Sequence, residues 1–367
     1  MSSETYHVRA VSLPQGSDPV DVWVVDGRFT FHRVDGAQTL SGNFMAPGLV
    51  DAHVHLSIDF AGIGKAHGDP TLVIDNAQRH LKSGVLALRD AGYVQQLALD
   101  GVDLPPMPII QRSGWLVVPE GRFFPGVDVG KHTSCAELNA RVHEVGDAGI
   151  SWFKVIADFP DESRNLFTAP LNYPVDVLKK AIDEAHARNM RVMAHSTGPS
   201  IGALIEAGVD AIEHGMSASP ETVRLMLAHG VHWTPTLATV ETHLRTAEAA
   251  GLSPAVRQAW SARITASLRE AMNIGVPILV GSDEVPHGRI LSEMEAMMRH
   301  GMTPTEVIDA ATRVGRRIMG LQLIEEGAPA DLVTWEADPR LDLGEIAKPK
   351  TILAAGKRVL TEDEVNA

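Results

Sequence analysis

Six side chains that can bind metal ions or transfer protons lie on five separate apolar runs, at or near their ends. Two of them, His53 and His55, belong to the stretch MAPGLVDAHVHL at residues 45–56. Residues two apart on a strand share a face, so both imidazoles are expected to point the same way. Because histidine is the commonest metal ligand, such a pair could form half of a metal site. The other four, in chain order, are Lys154, His195, His214 and Asp283.

Each of these four also has an ordinary structural explanation. His195 and His214 could be core histidines, and Asp283 could cap the helix that follows it. Their joint appearance at equivalent positions favours one shared site. Lys154 differs because an ammonium has no lone pair for a metal, yet burial beside a cation leaves a lysine as a free amine. Such an amine can add carbon dioxide and bridge two metals as a carbamate; otherwise Lys154 is a neutral or ion-paired lysine in a mononuclear or metal-free site.

Eight apolar or half-apolar runs alternate with segments that carry helix signals. Ser219-Pro220 and Ser253-Pro254 predict helix starts with serine as the N-cap, and Thr303 with Glu306 forms a capping-box pattern. Strands that alternate with helices predict a (β/α)8 TIM barrel with its active site at the C-terminal ends of the strands. The runs are 49–56, 85–92, 108–118, 152–158, 191–196, 210–215, 231–237 and 276–283.

The two ends of the chain have a different pattern. Residues 1–46 contain short alternating runs with a turn at Asp26-Gly27, and further strand-like runs follow Gly327. Neither end has enough strands for a sheet of its own. We therefore predict a small β-sandwich-like domain built from residues 1–46 plus 328–367, with the barrel at residues 47–327.

Composition narrows the class of protein. The 367 residues are 44% hydrophobic and 21% charged, as in a globular protein with a large core. A formal charge of -14 disfavours nucleic acid as a partner. No apolar run is long enough for a membrane span, no secretory signal is visible, and Cys135 is the single cysteine. A cytoplasmic protein is expected.

Taken together, these motifs resemble the amidohydrolase superfamily, and within it the imidazolonepropionase-like branch that includes metal-dependent Xaa-Pro dipeptidases. The resemblance covers nearly the whole chain. The matching segments are PGLVDAHVH (47–55), WFKVIAD (152–158), AHS (194–196), IEHG (212–215), GSDEVPHG (281–288), GMTPTEVIDAAT (301–312) and EEGAPADLV (325–333).

The resemblance implies a binuclear metal centre. One metal ion would be bound by His53, His55 and Asp283, and the second by His195 and His214, with carboxylated Lys154 as the bridge. Imidazole and oxygen ligands suit zinc, with manganese or cobalt as alternatives. Two such cations lower the pKa of a shared water toward ~7. The resulting hydroxide would attack an amide, cyclic amide or peptide-like bond of a small substrate, with Asp283 as the proton shuttle.

Three further residues are candidates for substrate binding. Arg122 lies in PEGRFFPG, within the long loop at residues 119–134, and is either a solvated charge or a clamp for a substrate carboxylate. His232 stands where relatives often present a tyrosine that polarises the substrate carbonyl. His287 follows Asp283 in the same loop. Arg89-Asp90 matches a pair common in relatives and is expected to be structural.

Two alternatives to a binuclear hydrolase remain at this point. One is a mononuclear deaminase of the same superfamily, against which the lysine of the fourth run counts. The other is a non-catalytic barrel that has lost its chemistry, although all six ligand candidates are present. A homo-oligomer is expected only by analogy with this class of protein.

Overall fold

The computed structural model of this chain describes residues 4–58, 70–93, 105–124, 132–160 and 166–359. Its strands are β1 (Tyr6–Ser12), β2 (Pro19–Val25), β3 (Arg28–Thr30), β4 (Gln38–Thr39), β5 (Phe44–Pro47), β6 (Leu49–Val54), β7 (Val85–Asp90), β8 (Ile109–Arg112), β9 (Trp152–Ile156), β10 (Arg191–Ser196), β11 (Ala211–His214), β12 (His232–Thr234), β13 (Leu332–Trp335), β14 (Thr351–Ala354) and β15 (Lys357–Val359).

The helices lie mostly between the central strands. They are α1 (Pro70–Lys82), α2 (Leu138–Asp147), α3 (Val175–Ala187), α4 (Ile201–Ala207), α5 (Pro220–His229), α6 (Leu237–Ala249), α7 (Pro254–Ile274), α8 (Ile290–Arg299), α9 (Pro304–Asp309) and α10 (Gly315–Ile318). A π-helical turn, Ala310–Val314, joins α9 to α10. The capping boxes that begin α5 and α9 use Ser219 with Thr222 and Thr303 with Glu306.

The central strands form two parallel sheets, one of β6, β7 and β8 and the other of β9 to β12. A parallel bridge between Val117 and Val155 connects the segment after β8 to β9. Residues 276–283 are not a regular strand, but Ile278 bridges to Trp233 in parallel. On the other side of this segment, the Ala52 N–H donates to the Val280 carbonyl at 2.8 Å. The arrangement is a TIM-barrel-like α/β fold, with strands in every predicted run except 276–283.

Burial on both faces explains the near-continuous apolar character of these strands. Every residue of β6, β7, β9 and β11 is buried, as expected for parallel strands covered by helices. In α3 the buried side chains Leu178, Ala181, Ile182 and Ala185 recur every three or four residues, so one stripe of the helix packs on the sheet.

The two ends of the chain meet in one eight-stranded sheet of order β15-β14-β13-β5-β1-β2-β3, with β4 paired to β1. This sheet has its own apolar core, which includes Tyr6, Val24 and Leu353. It continues directly into the barrel because β5 pairs with β13 and is followed by β6. The predicted composite of both termini is thus seen as a sheet, while its sandwich-like form and its domain boundaries stay predictions.

In the part of the chain that the structure describes, no helix combines the length and the apolar character that crossing a membrane requires.

A substitution at Gly281 tests how closely the eighth run packs on β6. A Cβ at this position would lie 2.5 Å from Thr234 Cγ2 and 2.7 Å from His53 Cβ. We expect Gly281→Ala to lower the free energy of unfolding by about 1–3 kcal/mol because the strands must move apart, as measured by chemical denaturation. In the control Gly202→Ala the nearest atom is Leu225 Cδ1 at 3.7 Å, and stability should be equal or higher. Equal losses in the two variants would contradict this packing.

Candidate active site

The six predicted ligands gather around one cavity of about 270 Å³ at the C-terminal ends of the parallel strands. Five of them line it: His55, Lys154, His195, His214 and Asp283. His53 lies immediately behind this wall, with its ring centroid 4.9 Å from that of His214. The strands therefore bring together side chains that are up to 230 residues apart in the sequence, as residues 53 and 283 are.

The most compact group of potential ligands is His53, His214 and Asp283, which offer three atoms within 4.8 Å of one another. His55 Nε2 lies 3.6 Å from Asp283 Oδ1, and the His195 ring centroid lies 4.4 Å from that of His214. The compact group thus contains His53 and His214, whereas the family resemblance assigns His53 and His55 to the same metal ion. Buried Nε2 atoms of His53 and His195 have no hydrogen-bond partner among the described residues. Unpaired imidazole nitrogens beside a carboxylate fit a divalent cation.

Hydrogen bonds on the far side of each ring hold three of these imidazoles in place. His53 Nδ1 lies 2.5 Å from Glu213 Oε2, and His55 Nδ1 lies 2.7 Å from the Gly92 carbonyl oxygen. Both partners accept, so each Nδ1 donates and each Nε2 keeps its lone pair. His214 Nδ1 lies 2.7 Å from the Thr236 hydroxyl. Such outer contacts orient metal-binding histidines and fix their tautomers.

Burial keeps the imidazoles uncharged. It lowers the pKa of His55 to about 4 and holds the pKa of His53, His195 and His214 well below the ordinary value. Neutral rings carry the lone pairs that metal binding needs.

Lys154 and Asp283 respond to burial in opposite directions. Burial lowers the pKa of the Lys154 amine to about 8, although the carboxylates of Glu213 and Asp283 oppose the change. Burial raises the pKa of the Asp283 carboxyl to about 7, which the nearby Lys154 partly offsets. Both groups therefore titrate close to neutrality, as groups at catalytic centres often do.

Three residues at the strand ends have left-handed backbones: His214 with φ 65°, Thr236 with φ 47° and Asp283 with φ 47°. Residues other than glycine rarely adopt this conformation, which costs of order 1–3 kcal/mol each. At Asp283 it is held by backbone hydrogen bonds, from its N–H to the His53 carbonyl at 2.8 Å and from the Thr239 hydroxyl to its own carbonyl at 2.9 Å. The sharp turns direct these side chains across the barrel end.

Two predicted substrate contacts, Arg122 and His232, are not among the described residues that line the cavity. Arg122 is not part of the cavity wall, because its Nε donates to Asn172 Oδ1 at 2.9 Å and its Nη2 donates to the Phe159 carbonyl at 2.8 Å. The guanidinium ties two loops together instead of facing a substrate. His232 lies at the start of β12, inside the barrel, where its Nε2 accepts from Arg89 at 2.8 Å. It is not among the described residues that line the cavity, so its predicted replacement of a carbonyl-polarising tyrosine has no support from this position.

His287, in contrast, lines the cavity, and its contact with a substrate stays a prediction. Its Nδ1 lies 3.2 Å from Nε2 of His80, and its Nε2 donates to the Ile58 carbonyl at 3.0 Å. His80 is completely buried, although its polar sequence context is typical of a surface residue. Its Nδ1 lies 3.7 Å from the carboxylate of Asp51, which also accepts from Ser282. This chain of contacts supports the loop that carries Asp283.

Sequence reasoning missed Glu213 and Thr236, which orient His53 and His214. Glu213 lies between the apolar Ile212 and the predicted ligand His214, and a charged residue at this position of a buried run is the sequence feature that could have identified it. The pair Arg89-Asp90 is structural as expected, since Arg89 donates to Glu213 Oε1 at 2.7 Å inside the barrel. Of the long loop at residues 119–134, residues 125–131 lie outside the described part of the chain, whereas Phe123 and Phe124 line the cavity.

Buried, neutral histidines, a lysine and an aspartate at the strand ends of a TIM-barrel-like fold are typical of the class of metal-dependent hydrolases. Comparison with known proteins agrees. The model of the amidohydrolase family matches residues 166–359. An uncharacterized protein of Mycobacterium tuberculosis is 36% identical over 362 residues, which cover 96% of this chain and 95% of that protein.

Solved structures show the same fold. A Xaa-Pro dipeptidase with bound methionine in its active site superposes with a TM-score of 0.79 at 21% identity, covering 97% of this chain and 100% of that chain. Ochratoxinase from A. niger superposes with a TM-score of 0.80 at 23% identity, covering 98% and 96%. This chain belongs to the amidohydrolase family, as its motifs predict, and is a hydrolase of carbon–nitrogen bonds.

Thr236→Val tests whether the outer hydrogen bonds support metal binding. The substitution keeps the shape of the side chain but removes the hydroxyl next to His214 Nδ1. We expect the affinity for added zinc to fall about 10–100-fold, as measured by competition with a chromogenic chelator. Thr246→Val on α6, whose exposed hydroxyl bonds only within its helix, is the matched control. Unchanged affinity in Thr236→Val would show that the hydroxyl has no such role.

Proposed function

We propose that this protein is a metal-dependent hydrolase that cleaves an amide, cyclic amide or peptide-like bond of a small molecule in the cavity at the strand ends. The observation that carries the proposal is the pair of buried nitrogens on His53 and His195 that have no hydrogen-bond partner among the described residues, with the Asp283 carboxylate 3.8 Å from the His53 nitrogen and in the same cavity wall as His195. Such an arrangement is costly without a cation, because buried polar atoms without partners lose their hydrogen bonds to water.

All six ligand candidates take part in the proposed centre. The four histidines, Asp283 and Lys154 would hold two divalent cations, with zinc as the best match for imidazole and oxygen ligands. Bound cations supply a polarised substrate carbonyl and a water of lowered pKa. The chain itself supplies neutral imidazoles, which burial maintains, and hydrogen bonds that aim them.

Lys154 enters this centre as a carbamate. Its side chain is buried in β9 and lines the cavity, and the low pKa leaves part of the amine unprotonated near neutral pH. A free amine is the form that adds carbon dioxide: its nitrogen bonds to the carbon, one proton is released to solvent, and the product is an anionic carbamate with two oxygen ligands. Conversion of a buried cation into an anion also removes the repulsion between Lys154 and a neighbouring metal ion.

Asp283 is placed to move the proton. Its side chain is 17% exposed, in contrast to that of His53, and faces the cavity in which a substrate would lie. Its carboxylate can accept a proton from the attacking water and give it to the departing amine nitrogen, so that the carboxylate is regenerated in each cycle.

A mononuclear deaminase is the second candidate, and one observation favours it. The ligand atoms of His53, His214 and Asp283 lie close enough together to hold a single ion. The metal content of the purified protein separates the two candidates, because the hydrolase with its carbamate bridge needs two ions and the deaminase one.

The proposal also includes two features of the fold, namely the closure of the barrel and the extent of the small domain. The barrel closes through residues 276–283, supported by the hydrogen bond from Trp233 N–H to the Pro277 carbonyl at 2.9 Å and by that from Ala52 to Val280. The small domain consists of residues 1–46 and 328–367, supported by its separate apolar core.

Metal removal tests the proposal directly. Dialysis against a chelator should abolish hydrolysis of amide substrates, and added zinc should restore it together with about two ions per chain by elemental analysis. Full activity in protein with less than a tenth of an ion per chain would contradict the proposal.

Asp283→Asn tests the proton transfer. We expect kcat to fall at least about 100-fold because the amide cannot accept and return a proton, while the melting temperature stays close to that of the parent protein. Asp183→Asn, at an exposed position of α3, is the matched control and should retain full activity. A kcat for Asp283→Asn within threefold of the control would exclude Asp283 as the proton carrier.

A further inference from the structure

We infer that the cavity selects uncharged amides with an aromatic or branched aliphatic group, in preference to substrates with a free carboxylate such as dipeptides. This inference rests on the proposed function, since it names the substrate class of the same site. It follows from the apolar lining, the aromatic residues at the cavity wall, and the positions of charged and polar groups.

Most of the wall beyond the predicted ligands is apolar. The lining side chains of this kind are Ile58, Leu116, Phe123, Phe124, Ile156, Leu166, Met216, Val240 and Val285. Away from the proposed metal ions, a wall of this composition favours burial of apolar substrate surface and gives a charged group no compensation for the loss of water.

Phenylalanine rings form one side of this wall. Phe123 and Phe124 both contact Phe159, with ring centroids 5.4 Å and 4.9 Å from its ring. Phe124 also stacks on His243 at 6.1 Å with the ring planes 11° apart, yet it stays 39% exposed. An exposed phenylalanine held by ring contacts at a cavity offers a surface on which an aromatic group of the substrate can pack.

Apart from the proposed metal ions, the charged side chains that the structure describes at the wall do not provide a site for a carboxylate. Among the described lining residues, Lys154 is the only lysine or arginine, and the proposed centre uses it. Arg122, the predicted clamp, is bound to Asn172 and to the Phe159 carbonyl. Glu284 lines the cavity with a buried Oε2 that lacks a partner among the described residues. Its carboxylate repels a substrate carboxylate but can accept a hydrogen bond from an amide N–H.

The polar groups of the wall are mostly turned toward the protein. The Thr197 hydroxyl donates to Asp158 at 3.0 Å, and the Thr239 hydroxyl donates to the Asp283 carbonyl. Both ring nitrogens of His287 have protein partners. These polar side chains thus offer a substrate few free hydrogen-bond donors or acceptors. Substrate selection then depends mainly on shape and on apolar contact.

Three compounds with a single amide bond test this selectivity in the zinc-loaded protein. N-(2-hydroxyethyl)benzamide is neutral and aromatic, N-benzoylglycine is a carboxylate of similar size, and N-(2-hydroxyethyl)acetamide lacks the ring. We expect kcat/KM for the neutral benzamide to exceed that for each of the other two by at least about tenfold. A kcat/KM for N-benzoylglycine equal to or above that of the benzamide would overturn the inference.

Binding of the same compounds separates this inference from the proposed function. If none is hydrolysed while two metal ions are bound, the result counts against hydrolysis of simple amides. Calorimetry would then still test selectivity: at least about tenfold tighter binding of the benzamide than of N-benzoylglycine supports the inference, and equal or weaker binding overturns it.

Variants assign the selectivity to particular side chains. Phe124→Ala should raise KM for the benzamide several-fold while KM for the acetamide changes little. The control is Phe31→Ala, at an exposed phenylalanine next to β3.

Glu284→Gln should raise kcat/KM for N-benzoylglycine relative to the benzamide. Its control is Glu206→Gln, on the exposed side of α4. Unchanged ratios in both Phe124→Ala and Glu284→Gln would overturn the assignment.

Discussion

The carboxylate of Glu213 joins the interior of the barrel to the candidate active site. One of its oxygens accepts from Arg89, and the other accepts from His53 Nδ1. All three side chains are completely buried, so neither charge has access to water. Loss of one partner in such a buried pair costs about 3–5 kcal/mol because the other charge is left uncompensated. The orientation of His53 thus depends on the same buried ion pair that stabilises the core. His214 and Asp283 lie next to the His53 ring.

The same lack of water explains the electrostatics of the site. Desolvation disfavours every charged form, which keeps the imidazoles neutral and moves the titration of Lys154 and Asp283 toward neutral pH. Acidic groups nevertheless accumulate nearby, since Asp51, Asp90 and Glu213 are fully buried around the strand ends. Cations bound between the histidines would balance these carboxylates, so that electrostatics and ligand geometry favour the same occupants.

Sequence patterns predicted the parts of the molecule that depend on local chemistry. The alternation of apolar runs with capped helices predicted the fold. The six ligand candidates could be chosen from the sequence because each lies at or near the end of such a run. Contacts between distant segments could not be predicted this way. His53 meets Glu213 across 160 residues, and His80 meets His287 across 207. Arg122 illustrates the same difficulty, because its partners are mainly main-chain carbonyls, which no residue type reveals.

The pairing of β5 with β13 has a consequence for biosynthesis. β5 leads through Gly48 into the strand that carries His53, and its neighbour in the sheet, β13, follows all the strands and helices of the barrel in the sequence. Arg316 adds to this link, since it donates to Asp331 at 3.0 Å and contacts the Gly48 carbonyl. A nascent chain that has not yet reached β13 lacks both supports. The strand that carries His53 can therefore gain these contacts only after the barrel segment has been synthesised.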